Sequence, residues 1–170
     1  MNVSEAVRAK RAVRRFSDRP APEEAVRAIL NAGRRAQSSK NTQPWNFVAV
    51  RDRETLKKLS ECGAYAGHLA GAAFAVALVS PDPAARRSIA FDLGQAAAYM
   101  QLAAWELGLG SCIASIYEPE KAKALLGIPE GYFFDVALSF GYPAPDQLRP
   151  SAVKKGGRRP FDEVVRWEKW

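Results

Sequence analysis

An α+β architecture is what this sequence predicts, and three observations lead there. Segments with helical apolar spacing and short apolar runs follow one another without the strict alternation that a wound parallel sheet needs. The 170 residues, 48% hydrophobic and 25% charged, suffice for one well-packed domain. Neither an internal repeat nor a long linker divides them, so residues 1–170 read as one domain.

Val3, Ala6, Val7 and Lys10 keep one side of a short first helix apolar, and that pattern stops near Arg14. Pro22 suits a first helical position, with Glu23 and Glu24 at the favourable N-terminal turn. Val26, Ile29 and Leu30 carry this second helix to about Ala36. Residues 46–51, NFVAVR, predict a strand, and 53–62 return to helical spacing through Leu56 and Leu59. FAVALV, residues 74–79, is a continuous apolar run of the kind buried on both faces of a sheet. The longest helix is predicted over 86–107, with Ile89, Leu93, Ala96, Met100, Ala103 and Leu107 in period. Its many small residues let another backbone approach closely, which suits a core or a subunit interface. Gly108 and Gly110 end it. A strand over 111–117, a short helix over 119–126 and a last central strand over 133–142 follow. Beyond Pro143 the chain is irregular and rich in Pro, Gly and basic residues, before a short terminal helix over 161–170 carrying Trp167 and Trp170.

Composition narrows the function. No apolar run approaches the roughly 20 residues that span a bilayer. The basic N-terminus lacks the apolar stretch of a secretory signal, so a cytoplasmic protein is expected. Cys62 and Cys112 lie far apart without CxxC spacing and read as small core residues of a reduced protein. A lone His68 with no Cys/His cluster makes a metal site improbable. The net charge is +7, and 13 of the 25 Lys and Arg residues crowd the two ends. Solvated faces, a nucleic-acid footprint or a held anion such as a phosphate all fit that placement. Nucleophile elbows, phosphate loops and dinucleotide fingerprints are absent, and no carboxylates pair obviously for acid–base work. An enzyme with this inventory needs a cofactor to carry its chemistry.

The stretch QSSKNTQPWNFVAV, residues 37–50, places a Trp behind a proline after a polar turn. A surface turn needs no such Trp. KRAVRRF (10–16) resembles the N-terminal signature of the nitroreductase family, and SSKNTQPWNFVAV resembles its second signature. DLGQAAAYMQLAAWELGLGSC (92–112) is similar to the family's long central helix, while LSFGYPA and RRPFDEVV match its closing strand and C-terminal basic element. The four matches keep the family's order and span nearly the whole chain.

The resemblance implies a compact FMN-dependent NAD(P)H oxidoreductase: a central mixed β-sheet flanked by helices, homodimeric, with two flavins at the interface. NAD(P)H would reduce the flavin and leave before a nitro compound, quinone or similar acceptor takes its place. By the same resemblance, Lys10, Arg11, Ala12 and Arg14 meet the FMN, with Lys10 and Arg11 at the phosphate and Arg14 tuning the redox potential. Arg158, with Lys155 or Arg159, clamps the phosphate from the C-terminal side. Ser38, Ser39, Asn41 and Gln43 form a flavin-facing loop contributed by the partner copy, and the strand near Ala114 and Ser115 passes the ring. Pro44–Trp45 would pin that loop to the core. Departures from the family pattern are Ala12 for a Ser, Gln37 for a Pro, Gly156 for a second C-terminal Lys, and no counterpart near 64–67 of an Asn at the pyrimidine edge. Other uses of the fold (dehalogenation, flavin breakdown, heterocycle oxidation), a flavin store and a basic nucleic-acid module are the alternatives. The last is disfavoured because the N-terminal basic run offers only Phe16 for base stacking, so no nucleic acid and no membrane are expected as partners.

Overall fold

The computed structural model describes residues 2–147 and 157–170. Helix α1 (Val3–Ala9) opens with a capping box: the Asn2 side chain accepts from Glu5 N–H while the Glu5 carboxylate accepts from Asn2 N–H. Helix α2 (Glu23–Arg34) begins one residue after Pro22, which stands outside it in extended conformation and not at its first turn. Strand β1 (Asn46–Val50) leads into α3 (Arg53–Ser60), capped by the Asp52 carboxylate on Thr55 N–H at 2.8 Å. Strand β2 (Phe74–Ser80), the long helix α4 (Ser88–Glu106), β3 (Gly110–Ser115), α5 (Pro119–Leu126) and β4 (Phe133–Gly141) follow. The chain closes with α6 (Phe161–Val164).

The sheet runs β1–β2–β4–β3, and every strand pair is antiparallel. The α+β class therefore holds, while among the described residues parallel pairing, which a mixed sheet requires, is confined to an isolated bridge between Ala12 and Ser111. The terminal helix is a second correction. It is a single turn, because Val165 has already left for extended backbone (φ −106°, ψ 132°) and no side chain caps its start. So short a helix, exposed along its length, has no packed face to support it.

Burial explains the order of strands. Phe74, Val76 and Leu78 of β2 face one core with α2 and α4, while Ala75, Ala77 and Val79 face a second core with α3. All seven β2 residues are buried, as the unbroken apolar run predicts for an inner strand. Helices α2 and α4 cross closely at Gly33, where an added Cβ would lie 2.4 Å from the Met100 side chain. Trp45 is buried in the first core and stacks on Phe47, with ring centroids 6.4 Å apart and planes 5° from parallel. Pro44 is buried beside it. The polar turn thus ends on an anchor, which is what its Trp is for.

Candidate cofactor site

Two separate pieces of the structure carry most of the residues singled out above. The first is the segment from Lys10 to Arg14. Leaving α1, it lies along the free edge of β3: Ala12 pairs with Ser111, and Val13 N–H donates to Ser111 O at 2.9 Å. Val13 is buried and sits on Gly110, where an added Cβ would lie 2.5 Å from Val13 Cβ. One apolar residue turned inward therefore leaves Ala12 and Arg14 turned outward and exposed. Lys10, the α1 cap, is half-buried, and that burial pushes its ammonium below the usual lysine range, with Cys112 acting weakly the other way. Arg11 is exposed and donates to Lys10 O at 2.9 Å and to Arg8 O. Arg14 N–H reaches Gln147 Oε1 at 3.4 Å, and Arg15 pairs with Asp146.

Beneath this segment lies a buried polar group that the sequence did not single out for a role. His68 Nδ1 stands 2.8 Å from Ser139 Oγ, which in turn donates to Cys112 O at 3.3 Å. Burial lowers the His68 pKa, the Arg14 guanidinium lowers it further, and the Ile113 carbonyl opposes both. His68 Nε2 has no partner of hydrogen-bonding geometry, so that carbonyl counts as a nearby dipole and not as a bond. Burial also raises the Cys112 thiol, outweighing the pull of Arg14 and Lys10. Both cysteines are buried and unpaired, as core residues should be.

The second piece is the 38–43 loop. Ser38 Oγ accepts from Gln43 N–H at 2.9 Å, Asn41 N–H donates to Ser38 O at 3.0 Å, and Thr42 N–H to Ser39 O at 3.1 Å. Lys40, Asn41 and Gln43 all adopt left-handed backbone, with φ of 52°, 52° and 47°. Asn tolerates this region, whereas Lys40 and Gln43 each cost on the order of 1 kcal/mol or more unless their surroundings enforce it. Side chains of α4 and of the segment just before it reach this loop. The Asp92 carboxylate, buried at 2% exposure, receives Ser39 N–H at 3.2 Å on each oxygen. Arg86 Nη2 donates to Thr42 Oγ1 at 2.6 Å. Ser39, Asn41 and Gln43 are left exposed.

Among the described residues, no hydrogen bond or ion pair joins the 38–43 loop to the Lys10–Arg14 segment. Ala114 is buried in β3 with its side chain in the second core, whereas Ser115 is exposed at the strand end. Arg158 is exposed, and Arg159 is engaged by Glu163, its Nη2 donating to Glu163 O at 2.9 Å. Lys155 lies outside the described residues. Sequence reasoning missed Asp92 and Gln147. The first left a trace: Asp92 falls three residues after Ile89 and four before Ala96, an acid on the buried stripe of an apolar helix.

Comparison with known proteins gives the family and the fold. The model of the nitroreductase family matches residues 7–62 and 62–142. A protein of Archaeoglobus fulgidus provisionally named NADH dehydrogenase/NAD(P)H nitroreductase is 37% identical over 162 residues, covering 86% of this chain and 92% of its own. A similarly named protein of Methanothermobacter thermautotrophicus is 32% identical over 178 residues, covering all of this chain and 88% of its own. The solved structure of an FMN-dependent nitroreductase from Clostridium difficile superposes with a TM-score of 0.84 at 26% identity, over 99% of this chain and 100% of that one. With a family match across most of its length and the same fold, the chain belongs to the nitroreductase family.

Proposed function

We propose that this chain is an FMN-dependent oxidoreductase that draws reducing equivalents from NAD(P)H and passes them, in ping-pong order, to nitro compounds, quinones or similar acceptors. The observation that carries the reading is the Lys10–Arg14 segment. It is docked on the sheet edge by Val13, so its cations are held beside β3. Lys10 has already lost part of its water, which lowers the cost of meeting an anion and strengthens the contact once made. Lys10 and Arg11 would hold the FMN phosphate, joined by Arg158 with Lys155 or Arg159. The forked guanidinium suits a phosphate with two parallel donors. Arg14 would present a fixed cation to the flavin edge, and Ser38, Ser39, Asn41 and Gln43 would pack on the ring. Ala12 would contribute only backbone, Ala114 likewise, and Ser115 an exposed hydroxyl. FMN, when bound, supplies the hydride chemistry that this side-chain inventory lacks.

A homodimer completes the reading. The loop and the cationic segment are not joined within one copy, and α4 exposes Phe91 at 70% on a helix otherwise built to pack. Trp167 and Trp170 are exposed as well. A second copy would cover these aromatics and bring its own 38–43 loop to the cationic segment. The test is direct. Purified protein should be yellow, release FMN on denaturation, oxidise NADH or NADPH when a quinone is added, and sediment as a dimer at micromolar concentration. Colourless protein that takes up no added FMN overturns the reading. An FMN-loaded monomer overturns the shared site.

A further inference from the structure

We propose that Asp92 is a positioning residue for the cofactor loop: from the middle of α4 it holds the 38–43 backbone in the shape that receives FMN. The inference rests on the FMN reading above and goes beyond it, since Asp92 lies on α4 and outside the residues assigned to the cofactor.

Three observations converge. The loop carries three left-handed residues, none of them glycine, and such a backbone relaxes unless something holds it. The hold is one buried carboxylate whose two oxygens share the Ser39 N–H, each at 3.2 Å. Among the described residues it has no cationic partner, so a buried charge is committed to a single main-chain donor. Two further ties flank it: half-buried Arg86, just before α4, donates to the exposed Thr42 hydroxyl, and Gln95 Nε2 donates to Gln37 O at 3.5 Å. At the far end the loop is pinned by buried Pro44 and Trp45. Between these two fixed points lie Asn41 and Gln43, whose exposed side chains are directed by backbone angles that the sequence alone would not adopt. Releasing Asp92 frees one fixed point and leaves the fold of α4 and the sheet in place.

The experiment titrates FMN into the full-length protein carrying Asp92→Asn or Asp92→Ala, and follows amide exchange of residues 39–43. A neutral acceptor is roughly half as effective as a charged one, so Asn should weaken FMN by about threefold where Ala weakens it about tenfold. Exchange at Ser39–Gln43 should quicken in the same order. Lys40→Gly removes one left-handed penalty (φ 52°), so adding it to Asp92→Ala should recover part of the lost affinity. A merely structural Asp92 would lower the melting temperature and speed exchange along α4, with FMN affinity unchanged and no recovery by Lys40→Gly. Should Asp92→Ala fail to fold, Asp92→Asn decides alone: unchanged affinity overturns the proposal, and a threefold loss with faster loop exchange supports it. Wild-type protein that binds no FMN overturns the proposed function and this inference with it. Wild type that binds, with both variants equal to it, overturns only the role of Asp92.

Discussion

Gly110→Ala tests whether the cationic segment depends on its docking against β3. An added Cβ at Gly110 would lie 2.5, 2.6 and 2.8 Å from Val13 Cβ, Cγ2 and Cγ1. Val13 is buried and β-branched, so it has no flexible end to swing aside. The 10–14 backbone must then lift from the sheet edge and strain the Val13 N–H bond to Ser111 O. Overpacking of this kind costs about 1–3 kcal/mol. For a chain of this size that is a fall in melting temperature of about 2–12 °C. If Lys10 or Arg11 loses one charge-assisted phosphate contact as a result, FMN affinity falls roughly ten- to hundredfold. Thermal unfolding by circular dichroism and an FMN titration read both effects. Val13→Gly in the same chain removes all three clashing atoms, so the double variant should be at least about 1 kcal/mol more stable than the two single costs added together. A Gly110→Ala protein with the wild-type melting temperature, or a strictly additive cycle, refutes the docking.

Removing Arg11 and Arg158 together should weaken FMN about a hundredfold or more at 1.5–3 kcal/mol per charge-assisted contact, while riboflavin, lacking the phosphate, should change little; equal loss for both ligands would show that the arginines serve the fold. Arg14→Met keeps the apolar stem and removes the charge, so the bound flavin should have a lower potential and take up hydride more slowly, with the dimer intact; an unchanged potential in a redox titration removes Arg14 from the mechanism. His68 is held below its ordinary value of 6.5, so the unfolded chain binds its proton first as pH falls. Stability should therefore be undiminished above about pH 6.5 and decline as pH drops from there towards the folded-state value. His68→Gln should flatten that acid limb in denaturant titrations; an acid limb identical to wild type would assign it to other groups.

Much of this was legible in the residues themselves, because the properties concerned are local. A helix shows its buried stripe every three to four positions and an inner strand shows an unbroken apolar run, so α2, α3, α4, α5, β2 and β4 could be read with boundaries shifted by a few residues. The polar turn before Trp45, the basic ends and the want of any nucleophile motif were equally visible, and so were the four stretches that resemble the family's signatures in their order. The terminal segment, read as a helix over 161–170, forms only one turn, because a helix there has neither a side-chain cap nor a buried face.

Tertiary structure decided what depends on residues far apart in the chain. Nothing local says that β4 lies between β2 and β3, or that residues 10–14 occupy the remaining β3 edge. That order arises because β2 and β4 are apolar enough to be covered on both sides, leaving the half-exposed β1 and β3 outside. The left-handed angles at Lys40, Asn41 and Gln43 were likewise unreadable, since those residue types do not by themselves choose such backbone. They stand next to Ser39, whose N–H is held by a carboxylate 53 positions along the chain that the fold carries to the loop and buries there. The residues alone name the groups that the proposed function would use for an anion and a ring. Only the packing of α4 and the sheet decided how those groups are held, because a hydrogen bond between distant residues exists only once burial has brought them together.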